Sequence, residues 1–211
     1  MDLNWHKNDI EEKLGFKSQK YSGVNTVLAF FVAIVFMLLF YLCAYLALEY
    51  GQFDVAAMFF HGGERDRSII PYFIVFLSSW SLAILFLKNQ KLKLQQKALD
   101  LDLVPDDQDF VLSPATSAQV LRALYNKVDE PRRFMYLNRI ERALANLKNI
   151  GRISELAEGL NVQAENDESY IESTYTVVRG FIWAVPVLGF IGTVLGLSQA
   201  IGGFGEVVAS G

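Results

Sequence analysis

Phe181-Ile-Trp-Ala-Val-Pro-Val-Leu-Gly-Phe-Ile-Gly-Thr-Val-Leu-Gly-Leu-Ser-Gln-Ala-Ile201 contains no Asp, Glu, Lys, Arg or His. As a helix it is long enough to cross a hydrocarbon core of about 30 Å. Working outward from it, Val27 to Leu48 and Ile69 to Leu87 are two further uncharged runs of spanning length. One such run could be a buried core helix. Three in a chain of 211 residues exceed what a soluble core of this size can bury. The overall 52% hydrophobic content is therefore concentrated in spans, with nearly all the charge between them.

The first run is preceded by more than about twenty mostly polar residues and is too long for the apolar region of a signal peptide. Lys7, Lys13, Lys17 and Lys20 precede it, and Lys88, Lys91, Lys93 and Lys97 follow the second run. Between those runs Arg65 and Arg67 are balanced by Glu64 and Asp66. The lysine bias predicts a multi-pass protein of a bacterial inner membrane with its N-terminus in the cytoplasm. Tyr21, Tyr41, Tyr45, Tyr72 and Trp80 supply aromatic residues for interfacial anchoring. The expected organisation is a cytoplasmic N-terminus (1–23), a span (24–48), an external loop (49–68), a second span (69–87), a cytoplasmic helical domain (88–180), a third span (181–201) and the start of an external loop (202–211). The fold class is an all-α integral membrane protein whose third helix extends into the cytoplasm.

Within the polar segment, Lys88 to Val104 reads as a continuation of the second helix, with a stripe of Leu92, Leu94, Leu99 and Leu103. Pro105 and the acidic Asp106, Asp107 and Asp109 break it. Ser113-Pro114 reads as a helix start. Val120, Leu121, Leu124, Tyr125 and Val128 give the following helix an apolar face, until Asp129-Glu130-Pro131 ends it. Phe134, Leu137, Ile140, Leu144 and Leu147 mark the next helix, with Gly151 as a break. From Ile153 the pattern runs into the third span as one long helix, since Gly159 alone costs only about 1 kcal/mol. Its lower half carries Glu155, Glu158, Glu165, Asp167, Glu168 and Glu172. These form either a solvated face or an acidic vestibule that concentrates cations below a pore. Arg132, Arg133, Arg139 and Arg142 form either a solvated basic face or a contact for a cytoplasmic partner.

The net charge of −4 and the lack of a dense basic patch argue against a nucleic-acid partner. Cys43 is a lone cysteine inside a span. His6 and His61 are isolated, and no nucleophile–base or metal-ligand spacing appears, so neither an enzyme nor a cofactor is expected.

At 100° per residue, Pro186, Gly189, Gly192, Thr193, Gly196 and Ala200 share about a third of the third helix's circumference. Trp183, Leu188, Phe190, Ile191, Val194 and Leu195 cover most of the rest. One face suits close approach to another helix and the other suits lipid or bulky neighbours. Proline frees a backbone carbonyl one turn back, and threonine adds a hydroxyl. That hydroxyl either bonds back to its own helix or serves a partner or wet path. None of the three spans carries a titratable side chain, so ion transfer would need a second polypeptide to bring one.

Pro186-Val-Leu-Gly189-Phe-Ile-Gly192-Thr193-Val-Leu-Gly196-Leu resembles the hallmark helix of the MotA/TolQ/ExbB proton-channel superfamily, with Phe204 consistent with its pattern. Two leading spans resemble the flagellar-stator arrangement, whereas the Gly-Thr-Val-x-Gly core looks more like TolQ and ExbB. The stator-like subunit of Zorya-type anti-phage defence systems combines both features. The resemblance implies an ion-driven motor or channel: a homopentamer around two copies of a single-span MotB/ExbD/TolR-like partner. A carboxylate of that partner would carry the transported ion, H+ or Na+. Thr193 matches the threonine facing this carboxylate, and Pro186 the proline coupling helix shape to protonation. Gly189, Gly192 and Gly196 match the close-packing positions. The resemblance also implies a fourth span, so residues 202–211 are expected to open a loop leading to it. The contrasting expectation is a non-conducting membrane scaffold whose cytoplasmic helices recruit a partner.

Overall fold

The structure, a computed structural model, describes residues 3–51, 69–103, 113–147 and 153–209. Among these, helices α1 (Trp5–Asn8), α2 (Ile10–Lys13), α3 (Thr26–Glu49) and α4 (Ile70–Lys97) are followed by α5 (Ser117–Lys127), a 3-10 turn at Pro131–Arg133, α6 (Met135–Asn146), α7 (Ile153–Ser173) and α8 (Thr176–Ala209). No β-strand occurs among the described residues. Three helical stretches, Thr26–Glu49, Ile70–Lys97 and Glu155–Gly202, are long and apolar enough to cross a membrane. The residues expected to form most of the external loop (His61, Glu64, Arg65, Asp66 and Arg67 among them), the break at Pro105 with its aspartates, and Gly151 lie outside the described residues.

The chain divides into two compact units, Met1–Leu28 with Leu85–Tyr175, and Ala29–Ile84 with Thr176–Gly211. The core of the first joins Leu94 of α4 and Ala98 just past its end to Val120 and Leu124 of α5, Leu137 and Leu144 of α6, and Leu103, Val128 and Phe134 beside them. The expected apolar faces of α5 and α6 are thus the buried ones, except that Tyr125 is exposed. The N-terminal segment completes this core. Leu3 and Trp5 are buried in it, and Trp5 meets Phe134 edge-to-face at 5.0 Å. This segment is held at α1 by the Asp129 carboxylate, which accepts the Trp5 backbone N–H at 2.8 Å.

Lys91, 3% exposed, anchors the same segment to α4. Its ammonium donates to Glu11 Oε2 at 2.6 Å, Gly23 O at 2.6 Å and Ser18 Oγ at 3.2 Å, and lies 3.6 Å from Asp9. Glu11 and Asp9 are buried too. Buried charge is costly unless paired and hydrogen-bonded, and here both conditions hold. Tyr21 takes a left-handed φ of 53°, unfavourable for a side chain of its size. It is held there by burial, by donating to Asp167 at 3.1 Å and by accepting from Asn138 at 2.7 Å.

In the second unit, Phe30 of α3 lies against Phe76 and Trp80 of α4, and Tyr41 stacks on Tyr72 at 5.7 Å. Rising numbers on α3 meet falling numbers on α4, so the two are antiparallel. Trp80 meets Phe181 of α8 at 5.2 Å, and Ile70 approaches Gly192. Helix α8 therefore also runs antiparallel to α4.

Four sequence expectations are corrected. Helix α4 stops at Lys97, and near its end Lys91 and Leu94, with Ala98 just beyond, are buried while Leu92 and Leu99 are exposed. Helix α5 starts at Ser117, because Ser113 and Thr116 bond each other in a preceding turn, with the Ser113 N–H 2.8 Å from Thr116 Oγ1. The single long helix is two, α7 and α8, separated at Thr174–Tyr175. There the Ser173 and Thr174 hydroxyls bond back to Tyr170 O and Ile171 O at 2.7 and 2.6 Å, competing with the helical ladder. Residues 202–209, expected in a loop, continue α8.

Candidate functional site

Helix α8 contains Pro186 in its interior, so the Ile182 carbonyl lacks its usual N–H partner. One turn further, Gly189 and then Gly192 leave the backbone open. A Cβ built on Gly192 would lie 3.4 Å from the Ile70 side chain, so this position admits α4 closely. A Cβ on Gly189 or Gly196 meets nothing within 4 Å among the described residues. The small face is thus occupied by the chain's own helix at one level and open above and below it. Pro186, Thr193, Gly196 and Ala200 are exposed, as are the bulky Trp183, Phe190, Val194 and Leu195. The most apolar eighteen-residue stretch of this helix has no buried residue. Leu188 is half-buried and Ile191 is exposed.

Thr193 donates its hydroxyl to Phe190 O at 2.7 Å. Its oxygen keeps free acceptor capacity and can exchange this bond for one to an incoming group, since a threonine hydroxyl rotates at little cost. No Asp, Glu, Lys, Arg or His lies between Phe181 and Ile201, so the face can position a charged group but cannot itself change charge.

No protein-family model, curated protein or solved structure matches this chain.

Of the six acidic positions on α7, Glu155, Glu158, Glu165, Glu168 and Glu172 are exposed and Asp167 is buried. Asp167 pairs with Arg139 at 2.9 Å and accepts the Tyr21 hydroxyl. The phenol of Tyr21 is pushed up to about 12, first by burial and then by the neighbouring Asp167 charge. Asp167 therefore braces the first unit from inside. The arginines separate in the same way. Arg133 pairs with Glu12 and Glu130 and donates to Ser18 O at 3.1 Å. Arg132 is largely exposed and gives one N–H to Glu141 at 2.9 Å. Arg142 is exposed beside a cavity of about 200 Å3 that Asn146 and Gln163 also line.

Two features escaped sequence reasoning. Lys91 is spaced like any surface lysine, and only its place on the Leu94–Ala98 face, one turn before Leu94, could have pointed inward. Lys88 is also buried, donating to Ser22 O at 3.1 Å and Thr174 Oγ1 at 2.5 Å with its ammonium 4.1 Å above the Tyr175 ring. It braces the turn between α7 and α8. No cluster of His, Cys, Asp and Glu that could hold a metal occurs among the described residues.

Proposed function

We propose that the chain is a subunit of a proton- or sodium-driven motor or channel of a bacterial inner membrane, a homopentamer around two copies of a single-span partner whose membrane carboxylate carries the ion. One observation carries this reading. Helix α8 presents a small face with Pro186 and Thr193 that the described residues leave open except near Gly192, and that face has no titratable group. A helix left bare in its own chain gains most from neighbours that pack closely and bring the missing polar group. Thr193 would hydrogen-bond the partner's carboxylate, and Pro186 would let the helix bend as that carboxylate changes charge.

The test is proton leak in cells co-expressing the chain with a single-span protein bearing a membrane aspartate. Leak that depends on both chains and falls in Thr193→Val supports the reading. Equal leak with and without the Thr193 hydroxyl refutes its role in the pathway. The second reading is a non-conducting scaffold. The first unit's own core favours it, since this unit could present a rigid surface to a partner. That reading predicts no ion flux with any membrane aspartate partner, together with capture of a cytoplasmic protein by the full chain.

A further inference from the structure

The first unit has an open cavity of about 650 Å3 whose walls include Lys17, Lys20, Tyr125, Arg132, Arg133 and Tyr170. Asp129 and Glu130 also line it, and both carboxylates are already engaged by groups of the chain. Asp129 accepts the backbone N–H groups of Trp5 and His6, and Glu130 pairs with Arg133. Arg133 is in turn held by Glu12 and Ser18 O. Two unpaired ammonium groups and one singly paired guanidinium remain. Lys17 and Lys20 are exposed and form no ion pair among the described residues, and the Arg132 guanidinium uses only its Nε on Glu141. The Tyr125 and Tyr170 rings stand beside them.

Unpaired ammonium groups beside a guanidinium whose terminal N–H groups are still available, converging on a concavity, select phosphate oxygens. The volume equals that of about twenty waters, which suits a headgroup with its glycerol region better than bare phosphate. Lys20 lies six residues before α3 begins at Thr26, and Tyr170 six before α8 begins at Thr176. Six residues reach at most about 20 Å even when extended. Both walls are thus tethered close to the ends of apolar helices, where headgroups lie if those helices span a bilayer.

We propose that this cavity holds the headgroup of an anionic phospholipid, with Lys17, Lys20 and Arg132 binding its phosphate. The inference rests on α3 and α8 being membrane spans, not on the motor reading. If the spans fail, alkaline carbonate releases the chain from membranes. If only the site fails, the chain stays in membranes without lipid preference.

The experiment is native mass spectrometry of the detergent-solubilised full chain with added phosphatidylglycerol or phosphatidylcholine. The wild type should retain phosphatidylglycerol preferentially. Each cation near an anionic surface contributes roughly a five-fold effect, so K17Q/K20Q should weaken retention about 25-fold. This variant breaks no ion pair, which keeps the fold intact. R132Q should weaken it about five-fold. K7Q/K13Q removes the same charge from residues that do not line the cavity and should leave binding unchanged. Equal retention of the two lipids, or equal loss in K7Q/K13Q, overturns the site. Displacement of phosphatidylglycerol by millimolar inorganic phosphate assigns the cavity to a soluble ligand and overturns the lipid.

Discussion

Replacing Lys91 with Met would remove the only cation within bonding distance of Glu11 Oε2 and Asp9 among the described residues. At an effective dielectric of about 20, the 2.6 Å contact to Glu11 represents roughly 6 kcal/mol of gross attraction. Desolvation offsets much of that, and stripping one partner from a buried pair leaves a net cost of about 3–5 kcal/mol. The loss falls on the N-terminal segment, because Glu11, Ser18, Gln19 and Gly23 all contact the ammonium. Hydrogen exchange of residues 3–23 in the detergent-solubilised full chain reads this opening directly. Lys91→Met should accelerate exchange there by roughly two to four orders of magnitude, or to the unprotected limit. Lys93→Met, on the same helix but exposed, should change it little. K91M/E11Q should recover part of the protection, since it removes one of the stranded charges. Wild-type protection in Lys91→Met would refute the assignment of this ion cluster as the clamp.

Three further outcomes follow from the geometry. Tyr21→Phe removes both hydrogen bonds of a buried hydroxyl and should destabilise the first unit by about 1–3 kcal/mol in thermal unfolding. Because the Tyr21 phenol is raised to about 12, its contribution is complete below pH 10 and is lost as pH climbs from 10 to 12, a loss that Tyr21→Phe should lack. His6 is raised by its hydrogen bond to Glu12, so its contribution is present below about pH 6.5 and disappears as pH rises through the folded value. Protection of residues 5–13, taken relative to the intrinsic exchange rate at each pH, should fall slightly from pH 6 to pH 8, and His6→Ala should abolish that fall. A Cβ at Gly196 meets nothing within 4 Å among the described residues, so Gly196→Leu should leave the monomer folded, yet block assembly as judged by native mass spectrometry. Unimpaired assembly in that variant would show that the open face has no helical neighbour.

The three apolar runs were legible because lipid imposes a length and a composition that nothing else in a short chain needs. Val120, Leu124, Leu137 and Leu144 were legible because their spacing matches the helical repeat. Leu3 and Trp5 were not, since they sit in a short irregular segment with no period to read, and their partners lie more than a hundred residues away. Lys91 and Asp167 were hidden because charge is read as surface, although each is buried by a partner distant in sequence. The turn at Thr174–Tyr175 depends on hydroxyls competing for carbonyls, a choice too local for hydrophobic patterning to register. At the candidate site, Pro186 and Thr193 could be named from sequence, whereas the difference between Gly192 and Gly196 required knowing where Ile70 lies.

The pairing of Trp5 with Phe134 also sets a timetable for biosynthesis. The ribosome makes Trp5 well before its partner ring, which emerges about 130 positions later, a delay of roughly 6–26 s at ordinary elongation rates. Throughout that interval the indole and Leu3 have no core to enter, while two long apolar helices are already leaving the exit tunnel. Leu3 and Trp5 must therefore stay accessible until Phe134 and the core residues of α6 have been made. A bulky fusion placed ahead of Leu3 would delay or block this final closure, whereas one placed after α8 would not.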